Sequence, residues 1–168
     1  MLEIIKYPNP ILVERMPEFN FDDPIMDPKE LERQMLAAMF ANGGIGLSAN
    51  QVGIRTRVFV MGDKSNFLNA KAFFNPIIIA NTDKILDLEE GCLSFPGIFA
   101  NIKRPSAIKV EYKTSDGITE QAEFEGYDCK VFLHEFDHLE GITFQNRIST
   151  LKWAMAVKKS QSKKRKFK

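Results

Sequence analysis

Both histidines of the chain fall in one run, Leu133-His134-Glu135-Phe136-Asp137-His138-Leu139, four residues apart. On an α-helix each residue advances by about 100°, so side chains four apart lie roughly 40° from one another and address the same side. Two imidazoles can therefore close on a single cation, with Glu135 beside the ion rather than bound to it. The competing reading is an exposed helix that carries His-Glu-x-x-His by chance, because five-residue patterns recur without function.

Two histidines do not complete a catalytic site, which takes three protein ligands and keeps a position for water or substrate. The segment Glu89-Glu90-Gly91-Cys92-Leu93-Ser94-Phe95-Pro96-Gly97 offers the third. Cys92 lies there between a glycine and a turn-forming stretch, where backbone can approach another segment and present a thiolate. Burial as a small apolar residue is the ordinary fate of a free cysteine. The second cysteine, Cys129, permits a closed Cys2His2 arrangement with Cys92, His134 and His138. If the helix already includes Cys129, that residue points about 140° away from His134, off the ligand face. An irregular start to the helix keeps the closed arrangement open.

Taken in order, Gly44-Ile45-Gly46-Leu47-Ser48-Ala49-Asn50-Gln51, Glu90-Gly91-Cys92-Leu93-Ser94 and His134-Glu135-Phe136-Asp137-His138 resemble the three motifs of the peptide deformylases. Those motifs are Gly-x-Gly-Leu-Ala-Ala-x-Gln, Glu-Gly-Cys-Leu-Ser and His-Glu-x-x-Asp-His, at similar separations. The resemblance covers most of the chain and extends to Arg104, twelve residues past Cys92. The chain departs from it at Ser48, where alanine is usual, at the variable position Asn50, and at Leu133, where glutamine frequently precedes the first histidine. It departs again at Phe99, in a region where some relatives carry an arginine near the peptide, and at Lys130, in a wall that is often apolar.

The resemblance implies a metal-dependent hydrolase that removes the N-formyl group from the formyl-methionine of new polypeptides and releases formate. In that reading Cys92, His134 and His138 bind one divalent metal, ferrous iron natively, with zinc or nickel able to occupy the site. The ion brings the pKa of a bound water toward neutrality. Glu135 takes the water proton and passes it to the leaving amine, while the Gln51 side-chain amide and the Leu93 backbone N–H donate to the formyl oxygen. Arg104 and Asp137 pair to tie the histidine helix to the Cys92 strand, and Glu90 braces the site similarly. From the residues themselves, a thiolate with two imidazoles suits zinc, iron, cobalt or nickel. A thiolate beside ferrous iron is open to oxidation, which fits a reducing compartment. Gly44 and Gly46 lack side chains, so an extended peptide can lie against their backbone. Ile45, Leu88, Tyr127 and Val131 flank the motifs and are the expected walls of a methionine pocket. A metallopeptidase would share the histidine pair and the base, but Cys92 and the Gln51 loop favour deformylation.

At 168 residues, 44% hydrophobic and 27% charged, the chain has the material for one packed core. It shows no internal repeat and no run long enough to cross a membrane. The first residues lack the basic-then-apolar order of a signal peptide, so the cysteines are expected to be reduced and the protein cytoplasmic. Asp27-Pro28-Lys29-Glu30 reads as a helix start and Leu31, Met35, Leu36 and Met39 as its apolar stripe, running to Gly43-Gly44. A buried strand is expected over 57–61 and a hairpin where Ile108, Val110 and Tyr112 alternate with charges before Ser115-Asp116-Gly117. The histidine helix is expected over 127–140, closed by Gly141. The order predicts an α+β domain of mainly antiparallel sheets packed around a central metal-bearing helix, with residues 8–28 as loop and short pieces on the surface.

Residues 1–157 read as the single catalytic domain, ending in a short helix over 150–157, and are followed by a flexible basic tail over 158–168. Seven positive charges in that tail, against a net charge of +1, leave −6 for the remainder. Such asymmetry can mark a polyanion-binding arm, and the expected partner is ribosomal RNA near the emerging chain.

Overall fold

Asp27 starts the first helix, α1 (Pro28–Ala41), by accepting a hydrogen bond from the Glu30 N–H at 3.0 Å, with Pro28 in the first turn. Leu31, Met35, Ala38 and Met39 form its buried face. The chain then leaves through Gly43, whose φ of +66° suits a residue without Cβ. The computed structural model describes residues 2–62 and 67–166.

In chain order the strands are β1 (Gly46–Ser48), β2 (Val58–Met61), β3 (Lys71–Asn81), β4 (Ile85–Cys92), β5 (Phe95–Pro105), β6 (Ala107–Lys113) and β7 (Thr119–Glu125). One antiparallel sheet runs β1-β2-β3-β6-β7, and β4 and β5 make a separate two-stranded sheet. The expected alternation on β6 is present: Ile108, Val110 and Tyr112 are buried. Its hairpin to β7 passes through Gly117 at φ +77°.

Helix α2 (Gly126–Leu139) carries both histidines and is buried on nearly every side. Phe132 packs edge-on against Phe59 of β2 and Phe73 of β3, and Val131, Leu133 and Leu139 join the same core. A helix covered all round needs neighbours on all sides. The five-stranded sheet, the β4–β5 hairpin and the N-terminal segment supply them. That segment does more than wrap the surface as expected. It sinks Ile11, Leu12, Met16 and Phe19 into the core, and Met16 N–H bonds Leu139 O at 2.8 Å.

The expected boundary at residue 157 is not an element boundary. Thr150–Lys166 is one helix, α3, so the described part of the anticipated tail, 158–166, is helical. The physical reason is a stripe at i, i+3, i+4 and i+7. Trp153, Ala156 and Val157 are half-buried and Ser160 is buried, and Trp153 meets Phe95 of β5 edge-on at 5.6 Å. Lys163 and Lys164 continue that stripe but are exposed.

Candidate metal centre

The β4 ladder slips between Gly91 and Cys92, then turns through Leu93 and Ser94 into β5. The slip brings Cys92 against α2, where Sγ lies 3.3 Å from His138 Nε2. The donor atoms of Cys92, His134 and His138 all fall within 4.8 Å of one another, and the two rings are 5.0 Å apart between centroids. Among the described residues this is the one cluster of three or more such side chains with that geometry. Cys129 is not part of it. It sits inside the regular helix, fully buried, with its thiol on Pro105 O at 3.3 Å. The closed four-ligand arrangement is therefore excluded, because helix geometry holds Cys129 away from the ligand face.

His134 Nδ1 donates to Glu90 Oε2 at 2.8 Å, which leaves Nε2 for the cluster. Glu90 is held in turn by Arg104, through Nε on one oxygen and Nη2 on the other at 3.0 Å. Arg104 Nη1 reaches Asp137 at 2.9 Å, and Arg147 grips the same carboxylate with Nε at 2.9 Å and Nη2 at 2.5 Å. The side chains of Glu90, Arg104 and Asp137 are 1%, 6% and 7% exposed, so the pairing is a buried one. The sequence placed Arg104, Asp137 and Glu90 here. It missed Arg147, which the Gly141 turn carries back onto the helix it follows.

Electrostatics separate the two histidines. Burial opposes charge on His134, but the Cys92 sulfur and the Glu90 carboxylate outweigh it and hold its pKa well above the usual value. Burial, His134 and Arg104 push His138 well below its usual value. His138 thus offers a neutral nitrogen, while a bound cation must displace the His134 proton. Burial also opposes charge on Glu90, yet its bonds to His134 and Arg104 bring it down to about 2.

Glu135 lies on the cavity wall, and burial pushes its carboxyl up to about 7. Ser48 Oγ, 2.8 Å from Glu135 Oε2, is a partner that sequence reasoning did not assign. The carboxylate passes directly over Gly46, where a Cβ would collide with it. Gln51 is buried, with Oε1 on the Ser48 N–H at 2.9 Å and Nε2 near Cys92 Sγ at 3.4 Å and Ser94 Oγ at 3.1 Å. Asn50 donates to His138 O at 2.9 Å and secures the end of the helix.

Gln51, Glu90, Cys92, His134 and Glu135 open on a cavity of about 500 Å³. Gly44, Ile45, Gly46, Leu93, Tyr127 and Val131 line it. Leu88 does not. It stands opposite Ile102, two residues beyond Glu90 from the metal-ligand end of β4, so it lies off the cavity wall. Phe99, Lys130 and Lys6 also line the cavity, and Lys6 had no signal in the sequence. Lys130 Nζ bonds Glu89 O at 2.9 Å and stands 4.1 Å from the Tyr127 ring centre. A sulfur and two imidazole nitrogens beside an open cavity fit a catalytic, not a sealed, divalent site.

The family model described as polypeptide deformylase matches residues 1–154. A peptide deformylase of Thermotoga sp. (strain RQ2) is 42% identical over 160 residues, covering 95% of this chain and 94% of that protein. The chloroplastic peptide deformylase 1B of Oryza sativa subsp. japonica is 38% identical over 151 residues, covering 88% of this chain, which spans 55% of the plant protein's length. The crystal structure of peptide deformylase from Thermotoga maritima superposes with a TM-score of 0.82 at 40% identity, covering 89% of this chain and 98% of that one. On the family match, these identities and the shared α+β fold, the chain belongs to the polypeptide deformylase family.

Proposed function

We infer that this protein is a metal-dependent hydrolase that removes the N-formyl group from the amino-terminal formyl-methionine of nascent polypeptides and releases formate. The observation that carries the reading is the convergence of the Cys92, His134 and His138 donor atoms on one another, beside a cavity whose wall holds Cys92 and His134 together with Glu135 and Gln51.

Cys92, His134 and His138 would hold a divalent ion, which when bound would supply Lewis acidity to a water and to the formyl carbonyl. Glu135 accepts the proton from that water and returns it to the leaving amine. Charge gathers on the formyl oxygen during attack, and the Gln51 amide and the Leu93 N–H donate to it. Removal of one such preorganised donor costs about 3 to 4 kcal/mol of barrier. The peptide lies against the backbone of Gly44 and Gly46, with the methionine side chain between Ile45, Tyr127 and Val131. Formyl is the smallest acyl group, so a close-fitting site around its carbonyl excludes acetyl by overlap. Arg104, Asp137 and Glu90 orient the ligands.

Iron(II) is the proposed native metal, with zinc or nickel able to occupy the site, and a reducing cytoplasm the proposed location. The basic end of α3 is the proposed contact with ribosomal RNA. No described helix is long and apolar enough to cross a membrane.

The test is anaerobic purification, metal analysis and formate release from a formyl-methionyl peptide beside its acetyl analogue. The Glu135→Gln variant should keep one metal per chain and lose at least about 100-fold in turnover. Wild-type turnover in that variant, or equal rates on the two peptides, would overturn the assignment.

A further inference from the structure

The Leu93 N–H belongs to a two-residue hairpin turn, since Cys92 and Phe95 are the paired residues that bracket Leu93 and Ser94. Residues in such a turn direct their carbonyls out of the ladder, so the turn's position is set by whatever binds those carbonyls. Here the N-terminal segment does so. Lys6 Nζ bonds Leu93 O at 2.7 Å, and the Tyr7 N–H bonds Ser94 O at 3.0 Å. The preceding Ile5 N–H bonds Gln51 O at 2.7 Å. The Tyr7 ring stacks on Phe95, just past the turn, at 4.8 Å and 22°. Three consecutive residues thus hold two chain segments that the Gln51 side chain also links, through Ser94 Oγ at 3.1 Å and Cys92 Sγ at 3.4 Å.

We propose that Lys6 is a positioning residue for the oxyanion-stabilising pair, its ammonium fixing the Leu93–Ser94 turn so that the Leu93 N–H and the Gln51 amide converge on one point. The proposal rests on the deformylase reading, which assigns that pair to the formyl oxygen. Such a donor contributes fully only when it is held in place before the charge develops, and a displacement of a fraction of an ångström weakens it. Lys6 lines the cavity but is exposed, so its replacement leaves the core untouched. Its bond is charge-assisted, and of the three strap hydrogen bonds it is the one a side-chain substitution can remove.

The experiment compares wild type, Lys6→Met and Lys6→Arg in the metal-loaded enzyme, with formate release and with amide order parameters from nuclear magnetic resonance. Lys6→Met should lower kcat about tenfold and leave KM within about twofold, because the substrate interaction it weakens is one made in the transition state, while metal content stays the same and Tm shifts only slightly, since the bond removed is at an exposed side chain. Lys6→Arg should recover most of the rate. The order parameters of Leu93 and Ser94 should fall from about 0.85 toward about 0.6 in Lys6→Met. A raised KM at unchanged kcat would mean that Lys6 touches the peptide directly, and would overturn the proposal, as would wild-type kinetics. If the wild-type enzyme released no formate, the deformylase reading would fail. The order parameters would still decide whether Lys6 fixes the turn, and unchanged values would refute it.

Discussion

Replacing Arg104 with alanine removes the cation at the centre of the Glu90–Arg104–Asp137 cluster. Asp137 keeps both Arg147 bonds, whereas Glu90 loses both arginine contacts and retains His134 alone. Breaking a buried pair from one side costs about 3–5 kcal/mol, because the remaining charge stays desolvated. Since Asp137 stays compensated, the expected loss lies near the lower end, about 3 kcal/mol, and belongs mostly to Glu90. Urea unfolding at neutral pH should show it as a lower midpoint at unchanged slope. Metal affinity should fall about 10- to 100-fold, because Glu90 orients His134. Adding Glu90→Gln to Arg104→Ala should restore at least about half of the stability, since the stranded charge is gone. Arg104→Lys should fall between, as an ammonium cannot reproduce the two-pronged contact. The pH dependence has a definite sign. The folded-state pKa of Glu90 is depressed from 4.5 to about 2, so its contribution is full above 4.5 and disappears as pH falls toward 2. The gap between wild type and Arg104→Ala should therefore close across that window. A wild-type midpoint and wild-type metal content in Arg104→Ala would refute this reasoning.

Gly46→Ala places a methyl group on the buried Glu135 carboxylate, which Ser48 holds. Expected are a loss of about 1–3 kcal/mol in thermal or urea unfolding and a fall in turnover larger than any change in KM. Burial raises the Cys129 thiol to about 11, so it stays protonated at pH 8 in the folded chain. Iodoacetamide followed by mass spectrometry should leave Cys129 unmodified until the protein is unfolded. Lys163 and Lys164 are exposed on α3, and replacing each with glutamine should reduce the salt slope of ribosomal RNA binding by about 1 per residue. An unchanged slope would remove these two lysines from the contact.

What the chain showed directly is written in short-range terms, while the roles of Gln51, Leu93 and Arg104 came from the motifs it shares with a family. Helical periodicity puts His134 and His138 on one face, the Asp27-Pro28 cap starts α1, and alternation marks β6. Each depends on backbone geometry over a few residues. What only the tertiary structure decided is which distant segments meet. Cys92, already named as a ligand from its motif, reaches His138 across 46 positions by a slipped ladder that the sequence did not show, Arg147 returns to Asp137 after the Gly141 turn, and Lys6 spans 87 positions to Leu93. Leu88 was placed on the cavity wall by its nearness in sequence and stands outside it. The basic end read as a tail is the continuation of a helix seated on β5. Such contacts are set by how buried surfaces fit together, a property of the whole packed chain that local periodicity does not encode.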